Sequence, residues 1–230
     1  MYAMITFDRN WQFPFMTKTR SSAQTENAIP RHNYHHGDLR RALLDAAVQF
    51  IETHGVEAVS VRAVAKMAGV SPGAPFRHFA TRTALLTAVA EEALNRLAGA
   101  ITLSLQAAAE QNPLLQFRAI GVGFLRWAFA NPTHFQVISA RAVIDFEGSP
   151  LRQRNDAIRT RMNALMNEAA ATGLLRPGDV GRHQIAARAL VYGLARMYVD
   201  GQFPSWGLDE SKALQESIAI LDQFIASISA

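Results

Sequence analysis

Cysteine is absent from all 230 residues. That excludes a disulfide framework and any thiolate metal site, and it fits a reducing compartment. Charge is scarce as well: 18% of residues are Asp, Glu, Lys or Arg, against about 25% in ordinary globular chains. No window approaches the roughly 20 unbroken apolar residues of a membrane span. Near the N-terminus Asp8, Arg9 and Asn10 interrupt the one apolar stretch, so a signal peptide is not expected. Also missing are a paired-histidine H-E-x-x-H, a P-loop and a G-x-G-x-x-G. Those absences argue against a metalloprotease, a nucleotide hydrolase or a dinucleotide enzyme. We expect a cytoplasmic protein with no membrane partner, cofactor, metal or catalytic residues.

What is abundant is apolar residues, at 49%, enough to bury a sizeable core. The net charge is +4. Its position says more than its size. From Arg31 to Arg82 seven basic residues (31, 40, 41, 62, 66, 77 and 82) stand against four acidic ones (38, 45, 52 and 57). Five histidines share that stretch. A local basic excess of this kind suits a polyanion.

Residues 1–33 hold Pro14, Pro30 and a polar run from Thr17 to Asn27 without a sustained period. They read as a flexible extension, or as a basic arm through Lys18, Arg20 and Arg31, and Met16 offers an alternative start. From Asp38 the pattern turns helical, with Leu39, Leu43, Ala46, Ala47, Phe50 and Ile51 at 3–4 spacing. Gly55 stops that helix. Ser60 caps a short one, Gly69 ends it, Ser71 caps the next with Pro72 at its first position, and Thr81 caps a long fourth. Beyond Asn112 five more helices are expected at 114–130, 133–146, 151–172, 180–200 and 209–228. The fold class is all-α with about nine helices. We divide it into 1–33, a helix-turn-helix domain at 34–80, and a linker helix plus ligand-binding and dimerisation domain at 81–230.

The segment from Ser60 to Phe79, SVRAVAKMAGVSPGAPFRHF, has the helix, glycine turn and capped second helix of a DNA-binding helix-turn-helix. Ala65 is small where two helices must cross, and Gly69 can take the left-handed turn conformation. Gly73, Ala74 and Pro75 offer no side-chain donor and permit close approach to a groove and to thymine methyls. Arg77 and His78 bring positive or hydrogen-bonding groups, with Arg62 nearby. Ser60 and Ser71 offer hydroxyls to phosphate, contacts that position without specifying. The alternative is a structural hairpin in a helical ligand-binding or enzymatic protein. His35 and His36 adjoin as a lone pair, which is weak evidence for metal.

On these residues the chain resembles the TetR family of transcriptional regulators. The resemblance is carried by Tyr34 to Arg40 (YHHGDLR), Ala46-Ala47, Gly55, Ser60 to Phe79 and Leu85-Leu86. It implies a three-helix DNA-binding domain, a linking fourth helix and a helical ligand-binding and dimerisation domain. Phe76 stands where the family usually has a tyrosine whose hydroxyl touches phosphate. Arg82 stands where the family has lysine, keeping the charge, and is counted with Pro72 and Phe76 among the expected DNA-binding residues; Thr83 replaces a glutamate. Leu190 to Leu194 (LVYGL) resembles the branch with a Val-His-Gly signature (WHG-type), with Tyr192 in place of histidine; Asn131 to Phe135 resembles it too.

In the last helix Leu214, Ile218, Leu221, Ile225 and Ile228 follow a 4-3-4-3 spacing, a narrow seam of the coiled-coil type. In the preceding helix Ala186, Leu190, Gly193 and Met197 share a face. Two such helices from each of two chains make a four-helix homodimer interface, with intrachain packing as the alternative. Phe124, Trp127, His134, Phe135, Met162, Met166 and Tyr192, together with other aromatics and Asn163, are candidates to line a cavity for a small apolar or amphipathic ligand. The resulting expectation is a ligand-responsive repressor. Its dimer sets two recognition helices on a palindromic operator of double-stranded DNA.

Overall fold

The computed structural model describes residues 36–230; the expectations for the 1–33 extension, its basic arm, Tyr34 and His35 fall outside these residues, and the side chain of His36 is likewise not described. Eight α-helices follow in order: α1 His36–His54, α2 Val61–Met67, α3 Arg82–Ala107, α4 Pro113–Ala130, α5 Pro132–Ser139, α6 Pro150–Ala171, α7 Val180–Val199 and α8 Ala213–Ile228. Among the described residues the sole β feature is one antiparallel bridge between Leu175 and Ser229.

The starts of these helices are written in their caps. Ser60 accepts from the Ala63 amide at 3.1 Å and Thr81 from the Ala84 amide at 3.0 Å. Asn112 accepts from the Leu115 amide at 3.0 Å, with Pro113 at the first position, where its missing N–H has no intrahelical role. After α2, Gly69 takes a φ of 68°. The Val70 amide then reaches back to the Ala65 carbonyl at 3.1 Å. This is the six-to-one closure of a Schellman turn, which a β-carbon would strain.

The ninth expected helix is absent as an α-helix. Residues Ala74–Arg77 form a 3₁₀ turn with Gly73 at its N-cap. Ser71 does not cap it through its hydroxyl; its carbonyl accepts from the Ala74 amide at 3.1 Å instead. The reason lies in the prolines. Pro75 has no N–H to give the Ser71 carbonyl, so the first i→i−4 bond is missing; the segment closes with i→i−3 bonds such as His78 N–H to Pro75 O at 2.9 Å, and one i→i−4 bond, Phe79 N–H to Pro75 O at 2.8 Å, ends it.

Helix α3 has 26 residues, about 39 Å at 1.5 Å per residue. Leu85, Leu86 and Val89 near its start are buried in one apolar core with Leu43, Ala47 and Val64, where α3 contacts α1, while Leu97 and Ile101 reach the core of α4 and α6. One helix therefore shares its buried face with both ends of the molecule. It crosses α4 closely at Gly123. A β-carbon there would lie 3.0 Å from the Ala100 carbonyl oxygen and 3.1 Å from the Ile101 α-carbon.

The expected α8 seam faces inward. Leu221, Ile225 and Ile228 are buried in the chain's own core, and Leu214 and Ile218 are half-buried against it. The Leu221 side chain packs over Gly121, close enough that a β-carbon there would lie 2.8 Å away. As a dimer seam these three residues are corrected to intrachain core: a 3.5-residue period marks one apolar face but not what covers it. On α7 the outcome is different. Ala186 is exposed, Leu190, Gly193 and Met197 are half-exposed, and a β-carbon on Gly193 would meet nothing within 4 Å. On the side of α8 opposite Asp222, which pairs with Arg118 of α4, Ile220 and Phe224 are also half-exposed.

Candidate functional site

The helix-turn-helix surface is built on Val61, Val64, Ala65, Pro75 and Phe79, all buried. Around them Ser60, Arg62, Ser71, Pro72, Gly73 and Arg77 are exposed, and Ala74 and His78 are half-buried. Pro75 therefore cannot touch a groove: it anchors the turn from below, a correction to its expected outward role. Phe76 points the other way and is 41% exposed, a large apolar ring beside a cation. It can pack on a sugar or a thymine methyl, but it has no donor for phosphate. Arg40 lies over the Phe79 ring at 5.5 Å and remains exposed, so a cation from α1 adjoins the turn.

Arg82 behaves unlike its expected neighbours. Its Nε donates to the Val59 carbonyl at 3.0 Å and its Nη2 to the Val56 carbonyl at 2.9 Å, with Glu57 at 3.3 Å. The guanidinium thus ties the start of α3 to the loop between α1 and α2.

The structure brings some of the expected aromatic residues together and not others. Phe124, Trp127, Phe135 and Tyr192 form one cluster with ring centroids 5.4 to 6.4 Å apart. They line a cavity of about 230 Å³ with Leu94, Ile138, Ser139, Arg141, Asn155 and Arg188. A second, smaller cavity of about 60 Å³, lined by Ile101, Phe117, Ile120, Met162 and Val191, shares Leu97, Phe124, Asn155 and Arg188 with the first. Met166 is fully buried and lines neither. His134 also turns away: it lines a groove with Asp45, Glu52 and Arg96. Asn163 is exposed.

Sequence reasoning missed Arg188, Arg141, Asn155 and Ser139. Arg188 had a signal, standing one turn before Tyr192 in an otherwise apolar stretch of α7. Its guanidinium lies 4.8 Å from the Phe124 ring centre and 5.3 Å from that of Tyr192. Solvent reaches the side chain by area while the cavity walls crowd its charge. Burial lowers its pKa from the usual guanidinium value, Tyr192 opposing and Arg141 adding to the effect. Arg141 sits over the Phe146 ring at 3.3 Å and is exposed by area, like Arg188; partial burial of its charge lowers its pKa as well, against Glu147 and Tyr192. Both stay protonated. Arg188 on one flank of α7 and the Ala186–Leu190–Gly193–Met197 strip on the other are separated by the helical period of about 100° per residue.

Among the described residues no group of three or more His, Asp or Glu side chains is placed to hold a metal, and no helix is long and apolar enough to cross a membrane.

Similarity to known proteins agrees with this anatomy. Residues 43–89 match the family model for bacterial regulatory proteins of the tetR family, and residues 117–221 match the tetracyclin repressor-like C-terminal domain. A nucleoid occlusion factor SlmA of Edwardsiella ictaluri is 26% identical over 170 residues, 71% of this chain and 84% of that protein. A structure of a Rhodococcus sp. RHA1 protein with unknown function is 30% identical with a TM-score of 0.69, covering 87% of this chain and all of that one. The TetR-family transcriptional regulator PfmR of Thermus thermophilus shares the fold at 22% identity and a TM-score of 0.61, over 80% of this chain and 97% of its own. Two family models together span most of the described chain, one on each side of the junction that α3 bridges. The chain belongs to the tetR family of bacterial regulatory proteins, which are DNA-binding transcription regulators and not enzymes.

Proposed function

We propose that the chain is a homodimeric transcriptional repressor, released from a palindromic operator when a small apolar or amphipathic molecule enters the α3–α4–α7 cavity. The observation that carries this reading is the double duty of α3. Its start is held to the DNA-binding end through its packing on α1 and the Arg82 bonds to Val56 and Val59, and two to three turns after Leu85 and Leu86, Leu94 and Leu97 line the cavity. A ligand that displaces these side chains moves the helix to which the DNA-reading turn is fixed. We place the DNA-binding domain at 34–80 and the effector and dimer domain at 81–230, with 1–33 as an extension.

The dimer is assigned to the α7 strip Ala186, Leu190, Gly193 and Met197 with Ile220 and Phe224 of α8. A two-fold axis there would set two recognition turns in successive major grooves about 34–36 Å apart. Coupling of only about 1–3 kcal/mol, a 5- to 150-fold change in affinity, suffices for release. The groups offered to DNA are Ser60, Arg62, Ser71, Phe76, Arg77 and His78. Footprinting on the DNA upstream of the gene tests the reading. Two protected half-sites about one helical turn apart, or a multiple of it, are expected; uniform or absent protection overturns it.

A further inference from the structure

We propose that the cavity takes a carboxylate joined to an apolar body, with Arg188 and Arg141 holding the anionic end. The inference rests on the ligand-responsive reading above and narrows it to a chemical class.

Four observations carry it. Arg188 lines both cavities, and Arg141 lines the larger one. Among the described residues neither guanidinium has a carboxylate within ion-pair distance: Glu147, which acts on Arg141 from farther off, is itself paired with Arg152 at 2.6 Å, and Asp222 is taken by Arg118. Two cations facing one cavity repel each other, and an anion between them converts that repulsion into two attractions. The planar fork of a guanidinium matches the two oxygens of a carboxylate.

The same cavity wall holds polar atoms with nothing to bond. Trp127 Nε1 and Ser139 Oγ are buried and have no hydrogen-bond partner; an indole N–H can only donate, and a hydroxyl can. Leaving such donors unsatisfied is costly, and both residues line the space that the two arginines face. These donors lie within the wall, and a small turn of either side chain would bring its donor to an acceptor oxygen in the cavity. Beyond Phe124 the smaller cavity is walled by Ile101, Phe117, Ile120 and Met162, which suits an alkyl or aryl tail and not a second charge. A ligand charged at one end and apolar at the other fits both halves, whereas a neutral apolar ligand would give the two guanidinium groups no anionic partner.

The test compares octanoate and 4-phenylbutyrate with their neutral alcohols, 1-octanol and 4-phenyl-1-butanol. Binding to full-length protein is read by calorimetry and thermal shift, for wild type, Arg188→Gln and Arg141→Gln. Both variants keep the wall polar, and either one carries the test if the other fails to fold. The acids are expected to bind about tenfold or more tighter than the alcohols. Arg188→Gln should erase most of that preference, as befits loss of a charged hydrogen bond, while alcohol affinity stays within about twofold. Alcohols binding as well as acids, a preference unchanged in both variants, or no binding by any probe overturns the proposal. Operator release is measured in parallel. Alcohols that release DNA while acids do not would leave the ligand-responsive reading standing and sink the carboxylate. Acids that bind through Arg188 without loosening DNA would do the reverse.

Discussion

Thr133 donates its hydroxyl to the Glu52 carboxylate at 3.3 Å, joining α5 to α1 across 81 residues of sequence. Glu52 belongs to the first helix of the DNA-binding end, and Phe135, two residues after Thr133, lines the larger cavity. Beside this bond Arg41 of α1 pairs with Glu92 at 3.5 Å, and Glu92 pairs with Arg96, which reaches Asn131 at the start of α5. A short helix thus touches the larger cavity on one side and a charged network shared with α1 on the other.

Thr133→Val removes the hydroxyl while preserving shape. It should cost about 0.5–1.5 kcal/mol in urea unfolding. It should also change operator affinity although no part of Thr133 faces DNA. Unaltered operator affinity would remove this bond from the coupling route.

The Arg82 clamp separates structural from DNA-contacting cations. Arg82→Ala should destabilise the fold by about 1.5–3 kcal/mol, because the guanidinium bonds to two carbonyls of the α1–α2 loop. The salt dependence of DNA binding should hardly move. Arg77→Ala should do the opposite, leaving stability within about 0.5 kcal/mol and reducing the salt slope by about 1. If the slope drops with Arg82→Ala instead, that residue is a phosphate contact after all.

Assembly is tested on α7. Gly193→Glu and Met197→Glu put charge on a face that is open in the single chain. Light scattering should report monomers with helical content retained. Leu221→Glu, by contrast, should unfold the chain, since Leu221 is 1% exposed. Dimers surviving both α7 substitutions would contradict the assigned interface.

A pH dependence follows from His134. Its ring is buried, and burial first, then Arg96, holds its pKa below the usual histidine value against Glu92 and Glu52, with Arg41 adding a smaller push. The unfolded chain takes up this proton near pH ~6.5, which the folded chain resists. The stability is therefore complete above about pH 6.5 and is lost as pH falls through that value toward the folded pKa. From about pH 7 to about pH 5.5 the wild-type Tm should fall further than that of His134→Gln. Parallel curves would show that His134 titrates in the fold as it does in solution.

Much of this molecule is legible in its sequence where the physics is local. The hydroxyls of Ser60 and Thr81, the left-handed Gly69 and the proline starts at Pro113 and Pro150 each act within one turn, so they place helices correctly. The reading weakens where a second element decides. Pro72 suits a helix start, yet together with Gly73 and Pro75 it leaves a 3₁₀ turn, and Pro75 is drawn under it. Leu221 and Ile225 repeat like an interface, but α4 and α7 of the same chain cover them. Arg82 carries the expected charge and finds carbonyls 23 and 26 residues away. Arg141 enters the cavity wall only through tertiary packing.

The central claim is that the Phe76–Arg77–His78 turn reads DNA, and a mobility-shift titration on the gene's own upstream region at low salt addresses it directly. Wild type should give a discrete complex that weakens steeply as salt rises, and Arg77→Ala with His78→Ala should weaken it about tenfold or more. No complex on any upstream fragment, or one indifferent to both substitutions, would contradict the account.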